Sequence, residues 1–144
     1  MSEGTIRLDL HLGYDHGLGA LGGYFQALAE GRALASRCGT CERTWFPPHA
    51  RCPEDGGICE AVELDGSGVV VSETRTRTRL PFTDADREVT FVLVAMAGAD
   101  NAAFGRLENF SGASATGEHV RLVAVAGPHG HPAQGAVFHP VERG

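Results

Sequence analysis

The chain has 144 residues, enough for one ordinary domain or a small module attached to one, and too few for a large multidomain enzyme. Hydrophobic residues make up 42% and charged residues 21%, close to globular usage, which sets aside extensive disorder. The formal charge is −6 and all 12 basic residues are arginine, so lysine-based Schiff-base chemistry is excluded and sequence-independent binding to nucleic acid is disfavoured.

No apolar run approaches the roughly 18 residues that a membrane helix needs. The opening MSEGTIRLDLHLG also lacks the basic-then-apolar order of a secretion signal. The expectation is a soluble cytoplasmic protein. Up to about Gly19 the chain is rich in glycine and histidine, reads as having little periodicity, and is expected to wrap loosely or to be held by a partner. In LGGYFQALAEGRAL, Leu21, Phe25, Leu28 and Ala29 recur at the spacing of one helical face, and Gly31 is placed to end the helix, which predicts a short amphipathic helix over roughly Leu21 to Glu30. RALASRC then reads as a strand entering the cysteine region and RTWFPP as a strand leaving it, ended by Pro47 and Pro48.

Beyond Cys59 the pattern is all-β. GVVVSETRTRTRL alternates, with Thr74, Thr76 and Thr78 on one face and Arg75, Arg77 and Arg79 on the other. EVTFVLVAMAG, AAFGRLENF, HVRLVAVAG and GAVFHPV supply four more strands, separated by turn clusters such as PFTDAD and GADN. Five short strands punctuated in this way predict a small closed or nearly closed barrel.

All four cysteines lie between Cys38 and Cys59, and in a reducing compartment such clustering points to a metal rather than to disulfides. Cys38 and Cys41 form a C-x-x-C knuckle and Cys52 follows, but a second knuckle begun at Cys52 would place its partner at Asp55. A thioredoxin-like redox pair is disfavoured, because no strand–helix unit follows. For zinc, Cys59 is the first candidate for the fourth ligand if PEDGGI loops back through Gly56 and Gly57. Asp55 is the second candidate, loss of the metal is the third possibility, and His49, after two prolines, is a poorer choice. A cysteine-dominated, closed set suits a structural rather than a catalytic zinc.

Taken together, YFQALAEGRALASRC, then CGTCERTWFPPHARCP, then DGSGVVVSETRTR and an all-β remainder resemble a family of zinc-ribbon plus OB-fold proteins long filed under a domain of unknown function, small accessory proteins encoded beside thiolases. The resemblance implies a mainly β fold: a helical hairpin and a rubredoxin-like zinc ribbon followed by a five-stranded OB-fold barrel. It divides this chain into an N-terminal arm with a short helix (1–35), a zinc-ribbon module (36–62) and a barrel (63–144). It also implies binding of acyl-coenzyme A (acyl-CoA) or its pantetheine arm. The implied partner is a thiolase-fold enzyme that holds the catalytic residues: a thiolase, a hydroxymethylglutaryl-CoA synthase or a lipid-transfer-protein-like aldolase of steroid side-chain degradation. Asp55 departs from that pattern, standing where the family usually has its fourth cysteine.

No catalytic residues are assigned, since the seven histidines sit in no H-E-x-x-H frame and neither a G-x-S-x-G nor a P-loop motif occurs. His129 and His131 read as an exposed loop, and His119 and His139 as barrel wall. Arg75, Arg77 and Arg79, spaced about 6.5–7 Å apart on one strand face, form a row of guanidinium groups suited to the phosphates of coenzyme A. The competing reading is a solvated face paired with Glu73 and its neighbours. Arg37, Arg43 and Arg51 make a second basic group. The leading expectation is therefore a non-catalytic, acyl-CoA-binding subunit of a hetero-oligomer in lipid, steroid or polyketide-type metabolism. The alternative is a single-stranded nucleic-acid-binding OB protein, for which Phe82, Phe91, Phe104, Phe110 and Phe138 are the available aromatic residues and several of them are expected in the core.

Overall fold

The computed structural model describes residues 3–15, 17–81, 83–125 and 135–142, so Phe82, His129 and His131 fall outside it. After a single 3-10 turn at Gly19–Leu21, α1 spans Gly22–Ala29. Tyr24, Phe25, Ala27 and Leu28 are its buried residues, whereas Leu21, expected on the apolar face, is 48% exposed. Burial pushes the Tyr24 phenol up to about 12. Gly31 ends the helix in the left-handed region at φ 75°, and a Cβ there would come within 2.9 Å of the Ala124 backbone nitrogen. The close approach of the segment after the barrel's fourth strand thus dictates glycine at the turn. This is the one α-helix among the described residues, so the helical hairpin implied by the resemblance is absent from them.

Two β units follow. β1 (Ala33–Cys38) lies between β2 (Thr44–Trp45) and β3 (Cys59–Leu64) in a three-stranded antiparallel sheet, with Ala33 opposite Leu64 and Cys38 opposite Cys59. β4 (Ser67–Thr78), β5 (Arg87–Met96), β6 (Ala102–Leu107), β7 (His119–Leu122) and β8 (Ala136–Pro140) close into a barrel in the order β4-β5-β6-β8-β7. The β6–β8 contact is parallel and the other pairings are antiparallel, which is the OB-fold arrangement. Residues of one parity point inward: Val92, Val94 and Met96 from β5, Ala103 and Leu107 from β6, Phe138 from β8. Gly105 is inward too, and a Cβ there would stand 2.6 Å from Phe138 Cε2 and 2.7 Å from the Ala136 carbonyl oxygen.

A bulge at Val71 resets β4. Val70 pairs with Val94 but Ser72 already pairs with Leu93, so Glu73, Arg75 and Arg77 oppose Val92, Thr90 and Glu88. Cross-strand partners share a face. Arg75 and Arg77 therefore stand on the Val92 side of the ladder, continuous with the barrel interior at its end, and Thr74 stands on the Phe91 side.

The ribbon and the barrel are joined at β2. Thr44 N–H donates to Asp100 Oδ2 (2.8 Å) and Asp100 N–H to the Thr44 carbonyl (2.8 Å). Phe46 N–H donates to Asn101 Oδ1 (3.0 Å) and Asn101 Nδ2 to the Phe46 carbonyl (2.7 Å). Phe46, fully buried beside Tyr24, belongs to one apolar cluster that includes α1, β1 and the barrel interior.

Ahead of α1, residues 5–15 lie outside any helix or strand. Contrary to the expectation of little periodicity, Ile6, Leu8, Leu10, Leu12 and Tyr14 alternate with Arg7, Asp9, His11 and Gly13. No helix of the described residues is long and apolar enough to cross a membrane.

Gly105→Ala is expected to destabilise the protein by about 1–3 kcal/mol through the clash with Phe138. Gly23→Ala, whose Cβ would meet nothing closer than Leu34 at 3.7 Å, is expected to be neutral or stabilising by about 0.5–1 kcal/mol. Denaturant unfolding of both variants reads the difference.

Candidate functional site

The cysteine region folds as two backbone knuckles of the same design. In the first, Cys38 N–H donates to the Arg43 carbonyl (2.9 Å) and Glu42 N–H to the Cys38 carbonyl (3.0 Å), with Glu42 left-handed at φ 64°. In the second, Cys52 N–H donates to the Gly57 carbonyl (2.8 Å) and Gly56 N–H to the Cys52 carbonyl (2.9 Å), with Gly56 at φ 73°. The second turn is therefore intact, and Asp55 occupies in it the place that Cys41 occupies in the first.

The ligand atoms of Cys38, Cys41, Cys52 and Asp55 all lie within 4.8 Å of one another. Cys41 Sγ and Cys52 Sγ are 3.7 Å apart, and Cys38 Sγ is 3.4 Å and 3.8 Å from Asp55 Oδ1 and Oδ2. A tetrahedral zinc with bonds of about 2.3 Å to sulfur and about 2.1 Å to oxygen gives edges of about 3.8 and 3.6 Å. The cluster fits that ion. Gly57 is part of the cradle, since a Cβ there would lie 2.9 Å from both Cys38 Sγ and Asp55 Oδ1. Its glycine serves close approach to the cluster rather than a loop toward Cys59.

Cys59 is outside the group. It opens β3, opposite Cys38 in the sheet, and its Sγ faces the Gly57 carbonyl at 3.8 Å. The expected order of fourth-ligand candidates is thus reversed in geometry, because Asp55 inherits a formed knuckle while Cys59 begins a strand. His49 packs edge-on against Trp45, with centroids 5.9 Å apart.

The electrostatics of the cluster are those of crowded acids. Backbone N–H groups of Cys41 and Thr40 hold the Cys38 thiol below its usual range, and the N–H of Gly57 does the same for Asp55. The backbone N–H of Arg43 favours the Cys41 thiolate, yet burial and its neighbours Cys38, Cys52 and Asp55 push that thiol up to about 12. Such a set resists full ionisation unless a cation shares it.

The arginine row divides. Arg75 pairs with Glu73 (3.3 Å), donates to the Gly112 carbonyl (2.7 Å) and lines a cavity of about 430 Å³ at the barrel's end with Arg87, Glu88 and Glu108. Arg77 and Arg79 line a separate groove of about 370 Å³ with Leu80, Pro81, Phe91 and Phe104, and Arg79 also reaches Asp86 at 3.8 Å. Phe91 and Phe104 stack at 5.4 Å and 18°, with Phe104 63% exposed. The outward parity of Phe91 was legible in FVLVAM, where it alternates with the inward Val92, Val94 and Met96. The second basic group is engaged locally: Arg37 with Glu42, Arg43 with Glu54, and Arg51 with the Gly56 carbonyl. His119 and His139 lie in β7 and β8.

Fold and cluster together define a zinc-ribbon protein with an attached barrel. Within that class, residues 25–57 match the family described as ChsH2, rubredoxin-like zinc ribbon domain, a stretch that contains the four clustered residues and ends before Cys59. The fold as a whole is that of DUF35 structures. A chain of the Ltp2-ChsH2(DUF35) aldolase superposes with a TM-score of 0.60 at 22% identity, covering 83% of this chain and 93% of that one. A DUF35-family protein of unknown function from Sulfolobus solfataricus gives a TM-score of 0.60 at 16% identity, covering 85% and 87%. No curated protein matches the sequence.

The protein is expected to purify with about one zinc per chain, read by elemental analysis. Asp55→Ala is expected to weaken zinc retention about tenfold or more, Cys59→Ser to leave it nearly unchanged, and Asp55→Cys to tighten it. A chelator-competition titration measures the order, and a larger loss in Cys59→Ser would reverse the assignment.

Proposed function

We propose that this chain is an accessory subunit, without catalytic activity of its own, that docks on a thiolase-fold enzyme and binds acyl-CoA in a groove at the rim of its barrel. The observation that carries the reading is the union of a ChsH2-type ribbon with a DUF35-type barrel, the fold also found in a chain of a complex named as an aldolase. The zinc, held by Cys38, Cys41, Cys52 and Asp55, cross-links the two knuckles and stabilises the module. The enzyme supplies the reacting groups. A subunit of this kind belongs to acyl-CoA metabolism in the cytoplasm, with lipid, steroid or polyketide-type substrates.

The groove of Arg77, Arg79, Phe91 and Phe104 supports the ligand assignment. The exposed face of the phenylalanine pair offers a stacking surface for adenine, and the guanidinium forks match phosphate oxygens. Leu80 and Pro81 add apolar wall for the pantetheine arm. Arg75 is already committed to Glu73 and Gly112, which makes it a poorer phosphate ligand than its place in the row suggests.

Calorimetric titration with coenzyme A and an acyl-CoA tests the site. Phe104→Ala and Arg77→Ala are each expected to weaken binding about tenfold, the arginine effect shrinking at high salt, while Arg75→Ala changes it little. Equal affinity in all three variants would remove the ligand from this groove. Co-expression with a thiolase-fold enzyme encoded beside this chain tests the docking, and turnover by the purified chain alone would overturn the accessory role. The same aromatic pair favours a second reading, single-stranded nucleic-acid binding, against which the net charge of −6 weighs. An oligonucleotide bound more tightly than acyl-CoA in that titration would select it.

A further inference from the structure

The arm ahead of α1 has the pattern of a β-strand with no sheet to join. Ile6, Leu8, Leu10, Leu12 and Tyr14 alternate as one face of a strand would, and are 82%, 78%, 77%, 75% and 84% exposed. The other face carries Arg7 and Asp9, ion-paired with each other at 3.4 Å, and then His11 and Gly13. An i, i+2 ion pair is what an extended backbone allows. No sheet pairing of the described residues involves 6–14.

A run of this kind left in water is an aggregation hazard unless something covers it. At roughly 60–120 Å² of apolar area per buried side chain, the five residues offer on the order of 500 Å². That is more than half of the ~800 Å² that each side of a standard interface buries. It is a large share of one interface and too little for a whole one. Pairing two such arms from two copies would not solve the problem, because a two-stranded ribbon still leaves its apolar face in water. The occupant must offer both an open sheet edge and an apolar surface beside it.

We infer that residues 6–14 dock as an added strand on the edge of a β-sheet of the enzyme subunit, with Ile6, Leu8, Leu10, Leu12 and Tyr14 seated on an apolar face of that subunit. This inference rests on the docking reading above and names a contact of it. In strand addition the backbone ladder supplies affinity and the alternate side chains supply specificity, and this arm has both elements in register over a span of about 30 Å. The polar face, nearly neutral as a pair of opposite charges, remains toward solvent.

The test uses the full chain and the co-expressed enzyme. Hydrogen exchange of the arm's amides is compared in the free chain and in the complex, and dissociation constants are measured for Leu8→Asp/Leu10→Asp and for Arg7→Ser/Asp9→Ser. The inference expects amides of 6–14 to gain protection in the complex. It also expects the leucine double variant to bind at least about tenfold more weakly, the polar-face variant to bind as the parent does, and free-chain unfolding to be the same in all three. A complex that forms with unchanged affinity in the leucine variant, or with an unprotected arm, overturns the strand-addition inference and leaves the docking reading standing. Absence of any complex overturns both. Self-association of the free chain that the leucine variant abolishes would assign the arm to a second copy instead and overturn the inference as stated.

Discussion

The reciprocal hydrogen bonding between β2 and the turn after β5 fixes the relation of the two β units. Two backbone groups of Thr44 and two of Phe46 are satisfied by Asp100 and Asn101, so the strand that leaves the first knuckle is held to the barrel at the same place where Phe46 is driven into the shared core. Each such bond contributes about 1 kcal/mol net, but leaving one of these groups buried and unmatched would cost about 1–3 kcal/mol. The joint is therefore specific as well as stabilising. It sets where the ribbon stands, and through Tyr24 against Phe46 it sets where α1 and the root of the arm stand too.

From that joint the molecule divides its tasks by region. The cluster of Cys38, Cys41, Cys52 and Asp55 lies in the two knuckles and shares no residue with the groove of the barrel. Retention of the second knuckle's backbone around Asp55 explains how the module keeps its shape with one thiol replaced by a carboxylate. Phe104 presents aromatic surface on the barrel, and the arm presents a run of five exposed apolar side chains ahead of α1, the longest such run among the described residues.

Much of this was legible in the sequence. The helix, the strands flanking the first knuckle and the five barrel strands follow from periodicity and turn chemistry, and Cys38, Cys41 and Cys52 follow from spacing. β3 was not read, because CEAVEL is an edge strand whose glutamates interrupt the apolar pattern. Spacing already marked Asp55 as the position equivalent to Cys41, but it ranked behind Cys59 because a carboxylate is the weaker zinc ligand; the repeated backbone hydrogen bonds show that the second knuckle is formed around it. The alternation in TIRLDLHLGYD was present in the letters and was masked by the glycines and histidines around it. Of the arginine row, Arg75 and Arg77 share one face of β4 while Arg79 lies past its end, and Arg75 is held by Glu73 and by Gly112, the second of which comes from a distant loop that periodicity cannot place.

The bulge at Val71 has a consequence for how such a barrel can diversify. Because one extra residue sets the parity of everything after it in β4, removal of that residue would return the strand to a regular ladder. Thr74, Thr76 and Thr78 would then take the inward-continuous side, and the guanidinium groups of Arg75 and Arg77 would pass to the outer one. A change of length by a single codon would thus exchange a cationic for a neutral lining at the barrel's end with no other residue altered, whereas point substitution would need several coordinated steps to reach the same surface.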